Sequence, residues 1–281
     1  MTLLLKAEPV VESITTKLAQ HIKKLPLPPK LTIIMVGNDQ PSKIYTSAKQ
    51  KACKSMGIDC SILKLPSDTS LPELHTTLTE LNQDPSIDGI LLQLPLPAHL
   101  PTTQLLNTLS SHKDVDGLNS INQGLLWNRT PKFIPCTPKG ILSLLDYYSI
   151  ELTGKNVVIL GESKLVGRPL AALLLNRQAT VTLCHSKTRN IQEHVRGCDI
   201  LVSATGVRRV IPSAWIPDHC SVIDVGIHSN HGKIVGDLDH STLTQRVHAL
   251  TPVPGGVGPM TVISLVENTL LSAELKQRSS T

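Results

Sequence analysis

The stretch NVVILGESKLVGRPLAALLL, residues 156–175, carries the strongest fold signal of this chain. An apolar strand-like run leads into a turn bounded by Gly161 and Gly167, and an apolar helical segment follows. Gly161 lets the chain turn at the strand end, Gly167 lets helix backbone or a ligand approach closely, and the helix N-terminus can receive a phosphate. The stretch differs from the G-x-G-x-x-G fingerprint, so an ordinary strand-to-helix turn stays open as an alternative.

Apolar runs typical of buried parallel strands alternate with amphipathic helical segments along the chain, which predicts an α/β fold. The first set is LTIIMVG, CSILKL and IDGILLQL; the second is NVVILG, TVTLCHS, DILVSAT, SVIDVGI and the shorter VHAL. The change between the sets falls near residues 118–140. A last helical pattern, from about Gly258 to Lys276, follows the Gly/Pro-rich TPVPGGVGP, and we expect that helix to return to the first domain.

The composition describes a soluble globular protein, with 281 residues, 40% hydrophobic and 17% charged. The net charge is +5, but the basic residues are dispersed and the chain holds only one Phe, two Trp and three Tyr, so we expect no nucleic-acid partner. The six cysteines are scattered without metal or redox spacing, which predicts reduced structural thiols. Neither a signal peptide nor a membrane-spanning run is recognisable, so we expect no membrane association and a cytoplasmic location.

The segment KIYTSAK, residues 43–49, predicts a helix with Asp39 as its cap and Gly57 at its end. At about 100° per residue one arc of this helix is apolar, formed by Ile44, Ala48, Ala52 and Met56, with Tyr45 inside it. Lys49 falls at the edge of that arc, away from the other lysines of the helix, and therefore points toward the protein. Two interpretations remain: a lysine whose stem covers apolar surface, or an amine in a cleft that serves acid–base chemistry.

Other polar residues stand where ligands of open α/β sheets bind, beyond the carboxyl ends of strands. Gln93 is the polar residue of GILLQLPLP, and its alternative is a buried glutamine tied to neighbouring backbone. In KDVDGLN, Asp114 and Asp116 either form a solvated turn or grip a ligand through paired hydrogen bonds. The spacing of the histidines in HSNH, residues 228–231, suggests a metal, but no third ligand is near, so no metal is predicted.

The segment CHSKTRN follows the second strand of the later set, where dinucleotide-binding units place their ribose-reading residue. An acidic residue there favours NAD. This chain instead has hydroxyls and cations between Ser186 and Arg189, which suit a 2′-phosphate and favour NADP. Glu162 counts against that preference, because a carboxylate near the phosphate loop repels the extra charge.

Taken together, the motifs closely resemble the bifunctional methylenetetrahydrofolate dehydrogenase/methenyltetrahydrofolate cyclohydrolases. The matching pieces span about residues 45–268 and occur in register: YTSAK, GILLQLPLP, KDVDGLNSIN, PCTPKG, GESKLVGRP, TVTLCHSKT, DILVSATG, VIDVGI, GDLD and TPVPGGVGPMT. The resemblance implies oxidation of 5,10-methylenetetrahydrofolate with NADP, then hydrolysis to 10-formyltetrahydrofolate. It also implies a cytoplasmic homodimer of one-carbon metabolism that serves purine, histidine and methionine biosynthesis, with folate bound between two domains.

The resemblance also assigns residues and domains. It implies a catalytic, folate-binding domain at 1–120 and 258–281, and a Rossmann-like NAD(P)-binding domain with a parallel sheet at 121–257. In the first, the catalytic lysine is Lys49, its companion is Gln93, the pterin-stacking tyrosine is Tyr45, and Asp116 holds the pterin. In the second domain, the phosphate-loop triplet is Gly161, Glu162 and Ser163. The ribose-side serine is Ser186, and the nicotinamide contact is Ile227.

Two positions depart from the family pattern. Position 162 is often arginine in members that grip the 2′-phosphate, so Glu162 leaves NAD open as the cofactor. His112 stands where proline is common, which is expected to loosen its turn. Two rival classes remain: a non-catalytic nucleotide-responsive binding protein on the same fold, and a short-chain-type dehydrogenase, which shares Tyr-x-x-x-Lys. In that class, however, the pair follows the nucleotide loop, whereas here it precedes it.

Overall fold

A computed structural model describes residues 1–279, without the side chain of residue 279. Within this range the chain divides into two compact units. The six-stranded unit comprises Met1–Glu12 and Thr137–Thr261, and the three-stranded unit comprises Ser13–Cys136 and the chain from Val262 on. The predicted functional domains, 1–120 with 258–281 and 121–257, stay a prediction, and residues 280 and 281 of that assignment lie outside the described residues.

The described residues form strands and helices that alternate along much of the chain. The strands are β1 (Leu3–Leu4), β2 (Lys30–Val36), β3 (Asp59–Leu65), β4 (Gly89–Leu92), β5 (Asn156–Leu160), β6 (Thr180–Cys184), β7 (Ile200–Ser203), β8 (Ser221–Asp224), β9 (His228–Asn230), β10 (Lys233–Val235) and β11 (Ala249–Leu250). The helices are α1 (Ala7–Ile22), α2 (Gln40–Ser55), α3 (Leu71–Gln83), α4 (Thr102–Thr108), α5 (Ser120–Trp127), α6 (Cys136–Tyr147), α7 (Gly167–Asn176), α8 (Ile191–Arg196), α9 (His240–Leu243) and α10 (Val257–Ser279).

The six-stranded unit is built on a parallel sheet with the order β1-β11-β8-β7-β5-β6. The register sets Leu160 beside Cys184 and Leu160 beside Ser203, so β5, β6 and β7 end at the same edge. β5, β7 and β8 are buried almost throughout, as strands covered on both faces are. The loops that follow these strands therefore meet at one carboxyl edge.

The three-stranded unit contains a parallel sheet of order β3-β2-β4. Its central strand, β2, is buried along nearly its whole length, and so is β4. A single parallel bridge between Ile90 and Asp114 adds the KDVDG segment to the free side of β4. Gln93 directly follows the carboxyl end of β4. Because the bridge is parallel, the segment after Asp114 runs toward the same edge of the sheet.

The strand predictions are confirmed for all eight runs, although the structure shortens several of them. β1 and the antiparallel pair β9–β10 were not predicted from the sequence. β1 has only two residues, and β9 and β10 have three each, so no alternating pattern is long enough to reveal them. β1 pairs with β11, which makes the first residues of the chain the edge of the six-stranded sheet.

The last helix, α10, contributes buried polar contacts to the three-stranded unit. Asn268 donates its Nδ2 to the carbonyls of Val115 at 2.8 Å and Ile134 at 2.9 Å. Ser272 donates to the carbonyl of Asp88 at 2.6 Å. These side chains satisfy backbone groups of segments far away in sequence, and they confirm that the final helix returns to the first set of strands.

We predict that Gly167→Ala destabilises the protein by about 3 kcal/mol, because overpacking forces backbone shifts. A Cβ added at Gly167 would lie 1.8 Å from the carbonyl oxygen of Gly161. Urea unfolding followed by circular dichroism measures the loss. The matched control is Gly124→Ala in α5, where no atom lies within 4 Å of the added carbon apart from its chain neighbours and the backbone of its own helix; we expect it to gain up to about 1 kcal/mol from helix propensity. Equal effects at both sites would contradict the packing argument.

Candidate active site and cofactor loops

Helix α2 has the ends that the sequence predicts. Asp39 is the N-cap, and its carboxylate accepts from the backbone N–H of Ser42 at 2.9 Å. The helix runs for 16 residues and gives way at Met56 to Gly57, which has a φ of 85°. These signals set where α2 begins and ends.

The expected apolar arc of α2 is wrong. The structure instead buries a face made of Ser42, Thr46, Lys49 and Cys53, while Ile44 is 70% exposed. Thr46 can be buried because its hydroxyl donates to the carbonyl of Ser42 at 2.9 Å. The inward direction of Lys49 is confirmed, but this lysine lies within the buried face and not at its edge.

Lys49 and Gln93 meet in the three-stranded unit. Lys49 is 7% exposed, and its Nζ donates to Oε1 of Gln93 at 2.9 Å. The Nε2 of Gln93 donates to the carbonyl of Leu94 at 2.6 Å, which fixes the amide so that its oxygen faces the lysine. Gln93 is therefore both the backbone-tied glutamine and the lysine partner, and a buried amine is held in one place.

Tyr45 lies one helical turn before Lys49 and is half-buried. Loss of solvent raises the pKa of its phenol above the ordinary value of 10.0. A phenol that stays neutral is a poor source of protons near pH 7, and its ring offers an aromatic face. This position suits a stacking surface, and it disfavours the role that the tyrosine plays in short-chain dehydrogenases.

The two aspartates of KDVDG differ in environment. Asp114 is 1% exposed, and one carboxylate oxygen accepts from the backbone N–H of Asn119 and from Nδ2 of Asn122, each at 2.8 Å. It is not part of a solvated turn; it organises the start of α5. Asp116 is half-buried, two residues beyond the bridge that places Asp114 beside β4. Of the two, Asp116 has the accessible carboxylate.

The turn that carries His112 is closed by hydrogen bonds in spite of the missing proline. The N–H groups of Lys113 and Asp114 both donate to the carbonyl of Ser110, at 2.9 and 3.0 Å. The carbonyl of His112 accepts from Ser272 at 2.9 Å. Gly117, with a φ of 67°, then brings the chain within reach of residues 133–135, where a Cβ would lie 2.9 Å from the nitrogen of Pro135.

In the six-stranded unit, the loop after β5 is set by two glycines. Gly161 has a φ of 105°, and a Cβ there would lie 2.3 Å from the carbonyl oxygen of Ala204, just after β7. Gly167 begins α7 directly against the carbonyl of Gly161. Both sequence-based roles, the turn at the strand end and the close helix approach, are confirmed. The start of α7 lacks a side-chain cap hydrogen bond.

Between the glycines, the loop exposes Glu162 and Ser163. The Oγ of Ser163 accepts from the N–H of Val166 at 3.1 Å, which holds the loop in a tight turn. Glu162 pairs with Arg168: Nη2 lies 2.5 Å from Oε2, and Nε donates to the carbonyl oxygen of Glu162 at 3.0 Å. The carboxylate that seemed, from the sequence, to oppose NADP is thus matched by a guanidinium.

The loop after β6 exposes Ser186 together with Lys187 and Arg189. It is ordered by its own side chains, because the N–H of His185 donates to Oγ1 of Thr188 at 2.9 Å. Since Leu160 pairs with Cys184, Ser186 and Glu162 both lie two residues beyond the ends of neighbouring strands. The structure therefore brings the phosphate loop and the cationic loop to one edge of the sheet.

Two buried aspartates near the same edge were missed by reasoning from residue types. Asp237 is fully buried and ties the end of β7 to β9, since its carboxylate accepts from Ser203 at 3.1 Å and contacts Nε2 of His228 at 2.7 Å. Asp224 similarly contacts Nε2 of His240 at 2.8 Å. Ile227, 46% exposed, lies between Asp224 and His228. Asp224 belongs to the motif VIDVGI and Asp237 to the motif GDLD. The family resemblance therefore included both residues, but nothing in the sequence indicated that they are buried.

Neither cysteines nor histidines form a metal site in the part of the chain that the structure describes. His228 is engaged with Asp237, and His231 follows in the turn between β9 and β10 with a φ of 48°. All six cysteines are free and buried, as expected for structural thiols. Among residues 1–279, no helix has the length and apolar character to cross a membrane.

These features define a class: a two-unit α/β protein with a dinucleotide-type loop on one parallel sheet and a buried lysine–glutamine pair at the end of another. Residues 5–116 match the family "Tetrahydrofolate dehydrogenase/cyclohydrolase, catalytic domain", and residues 135–277 match its "NAD(P)-binding domain". The chain belongs to the tetrahydrofolate dehydrogenase/cyclohydrolase family.

Individual relatives agree with this membership. The chain is 44% identical to "Bifunctional protein FolD" of Methanoculleus marisnigri over 98% of this chain and 97% of that protein. It resembles the FolD crystal structure from Campylobacter jejuni with a TM-score of 0.94 and 39% identity, covering 98% and 99% of the two chains. The Trypanosoma brucei enzyme, solved with NADP cofactor and inhibitor, gives a TM-score of 0.93 at 33% identity, with 99% of each chain covered. The predictions of family, fold class and a bifunctional enzyme are confirmed.

We predict that Asp114 makes stability fall as the pH rises. Burial raises the pKa of its carboxyl from the ordinary 3.8 to about 6, so the folded protein keeps a proton that the unfolded chain has released. This group's stabilising contribution is therefore full below about pH 4 and is lost between about pH 4 and 6. The loss is on the order of 2–3 kcal/mol for such a shift.

Asp114→Asn, which stays neutral, tests this. Urea unfolding at several pH values should show the variant gaining stability relative to the parent protein as the pH rises from 4 to about 6. Asp68→Asn, at an exposed position, serves as the control for removing one carboxylate. A difference between Asp114→Asn and the parent that does not change with pH would refute the prediction.

Proposed function

We propose that this chain oxidises 5,10-methylenetetrahydrofolate to 5,10-methenyltetrahydrofolate with NADP, and hydrolyses the product to 10-formyltetrahydrofolate, using Lys49 and Gln93 for the second step. The observation that carries the proposal is the 2.9 Å hydrogen bond between a buried lysine ammonium and a glutamine amide whose orientation is fixed. Burying an amine that carries a charge is costly, so a lysine at this buried position favours a chemical role over a structural one.

The residues of the three-stranded unit divide the work. The ring of Tyr45 stacks on the pterin, while the accessible carboxylate of Asp116 accepts hydrogen bonds from its amino group and ring N–H. Together they hold the one-carbon bridge in place, which is the main requirement of hydride transfer. For the hydrolytic step we assign the proton transfers of the attacking water to Nζ of Lys49, and Gln93 keeps Nζ aimed.

The loops of the six-stranded unit fit a nicotinamide dinucleotide. Gly161 and Ser163 form a tight loop before a helix whose first turn lacks a side-chain cap, which suits a pyrophosphate. Ser186 is exposed on the neighbouring loop, where the ribose is expected, and Ile227 offers an exposed apolar surface to the nicotinamide. When bound, this cofactor supplies the acceptor for the hydride. We propose NADP because the loop after β6 carries hydroxyls and cations.

The family resemblance supports further proposals about the cell. We propose a homodimer in the cytoplasm that supplies one-carbon units for purine, histidine and methionine biosynthesis, without nucleic-acid or membrane partners. Light scattering on the purified protein gives the oligomeric state, and a monomer at micromolar concentration would contradict the dimer.

The activity assay combines purified protein with methylenetetrahydrofolate and either NADP or NAD. The absorbances of the reduced cofactor and of methenyltetrahydrofolate are followed separately, so that oxidation and hydrolysis are both measured. If the protein turns over methylenetetrahydrofolate with neither NADP nor NAD, the proposed function is wrong.

We predict that Lys49→Met lowers cyclohydrolase turnover at least about 100-fold, the usual contribution of a positioned acid–base group. The measurement is the decay of added methenyltetrahydrofolate, which requires no cofactor. Lys51→Met is the matched control, because Lys51 is exposed on the same helix; its turnover should equal that of the parent. Undiminished hydrolysis by Lys49→Met would exclude the proton-transfer role.

A further inference from the structure

The ion pair between Glu162 and Arg168 spans the phosphate loop of the six-stranded unit. Arg168 contacts both the carboxylate of Glu162, at 2.5 Å, and its backbone carbonyl, at 3.0 Å. Arg168 is the second residue of α7, so its guanidinium reaches back from the helix over the loop that precedes it. The arginine is therefore held beside the residue that follows Gly161.

The position of this pair relates it to the ribose-reading loop. β5 and β6 are parallel neighbours in register, with Leu160 beside Cys184. Glu162 and Ser186 both lie two residues beyond that pair, at one edge of the sheet. In dinucleotide-binding units, the residue after the second strand reads the ribose 2′ position. A 2′-phosphate bound there would lie near Glu162 and Arg168.

The strength of the pair decides what a phosphate does to it. Both side chains are substantially exposed, 54% for Arg168 and 43% for Glu162. Solvent screens an exposed ion pair and leaves it weak, whereas a phosphate carries more negative charge than a carboxylate and offers more acceptor oxygens to a guanidinium. Arg168 can therefore exchange the carboxylate for a phosphate at low cost, but the released Glu162 carboxylate then repels the same phosphate.

We propose that Arg168 joins the cations of the loop after β6 in binding the cofactor 2′-phosphate, and that Glu162 competes with the phosphate for Arg168. The two residues thereby adjust the selectivity for NADP over NAD that the loop after β6 favours. This inference rests on the proposed use of a nicotinamide dinucleotide. Arg168 thereby acquires a role in cofactor specificity. Glu162 does not prevent NADP binding but reduces the preference for NADP over NAD.

The test measures the ratio of kcat/KM with NADP to kcat/KM with NAD for methylenetetrahydrofolate oxidation. Relative to the parent enzyme, Glu162→Gln should raise this ratio about tenfold, because Arg168 loses its competitor, and Arg168→Gln should lower it about tenfold or more. Arg168→Lys should give a ratio between those of Arg168→Gln and the parent enzyme, since lysine keeps the positive charge but lacks the paired N–H donors of the guanidinium. Thermal unfolding of each variant checks that the fold is retained.

The matched control is Arg177→Gln. Arg177 follows the other end of α7 and pairs with Asp146, so the variant removes an exposed arginine and an ion pair from the same helix. Its ratio should stay at the parent value. Calorimetric titration with 2′,5′-ADP gives a second measurement that does not depend on turnover, and Arg168→Gln should weaken this binding about tenfold.

The outcomes separate this inference from the function on which it rests. If Arg168→Gln leaves the ratio unchanged, or lowers it no more than Arg177→Gln does, Arg168 does not read the phosphate. If Glu162→Gln fails to raise the ratio, the competition is refuted. A parent protein that turns over neither cofactor contradicts the proposed function itself, and the titration then decides alone whether Arg168 binds the 2′-phosphate.

Discussion

The close approach of Gly167 to the carbonyl of Gly161 is the constraint on which the six-stranded unit depends. Without side chains at these two positions, α7 can begin directly over the end of β5, and the loop between them can turn against the carbonyl of Ala204 after β7. The loop is consequently short and its backbone position is fixed. Every side chain on it, including Glu162, is placed by this contact.

Buried carboxylates give the same edge of the sheet its second support. Asp224 and Asp237 are almost completely buried, yet each accepts several hydrogen bonds, including those from the backbone N–H groups of Asp237 and Thr205. Each also contacts a partly exposed histidine. Such satisfied networks order loops that would otherwise lack a core, and they fix the exposed segment that carries Ile227.

In the six-stranded unit the candidate cofactor-binding side chains lie on exposed loops. In the three-stranded unit the candidate catalytic lysine lies instead on the buried face of a helix. α2 turns serine, threonine, lysine and cysteine toward β2 and β3, and it leaves Ile44 exposed. These polar side chains can be buried because their polar groups are hydrogen-bonded. Thr46 donates to a carbonyl of its own helix, and Lys49 donates to Gln93. The cost of burying Lys49 is offset by one well-oriented amide, which makes Gln93 as important to the arrangement as the lysine.

The sequence by itself determined the order of the eight predicted strands, their parallel character, the cap at Asp39 and the glycine-bounded turn at Gly161, because these follow from local periodicity and backbone conformation. The inward direction of Lys49 also followed from helical geometry. Only the tertiary structure decided which arc of α2 is buried, since Lys49 on that arc is satisfied by Gln93, a partner distant in sequence. For the same reason it alone paired Glu162 with Arg168 and gave Asp114 a buried, structural role: side-chain electrostatics depend on distances in space that residue order does not contain.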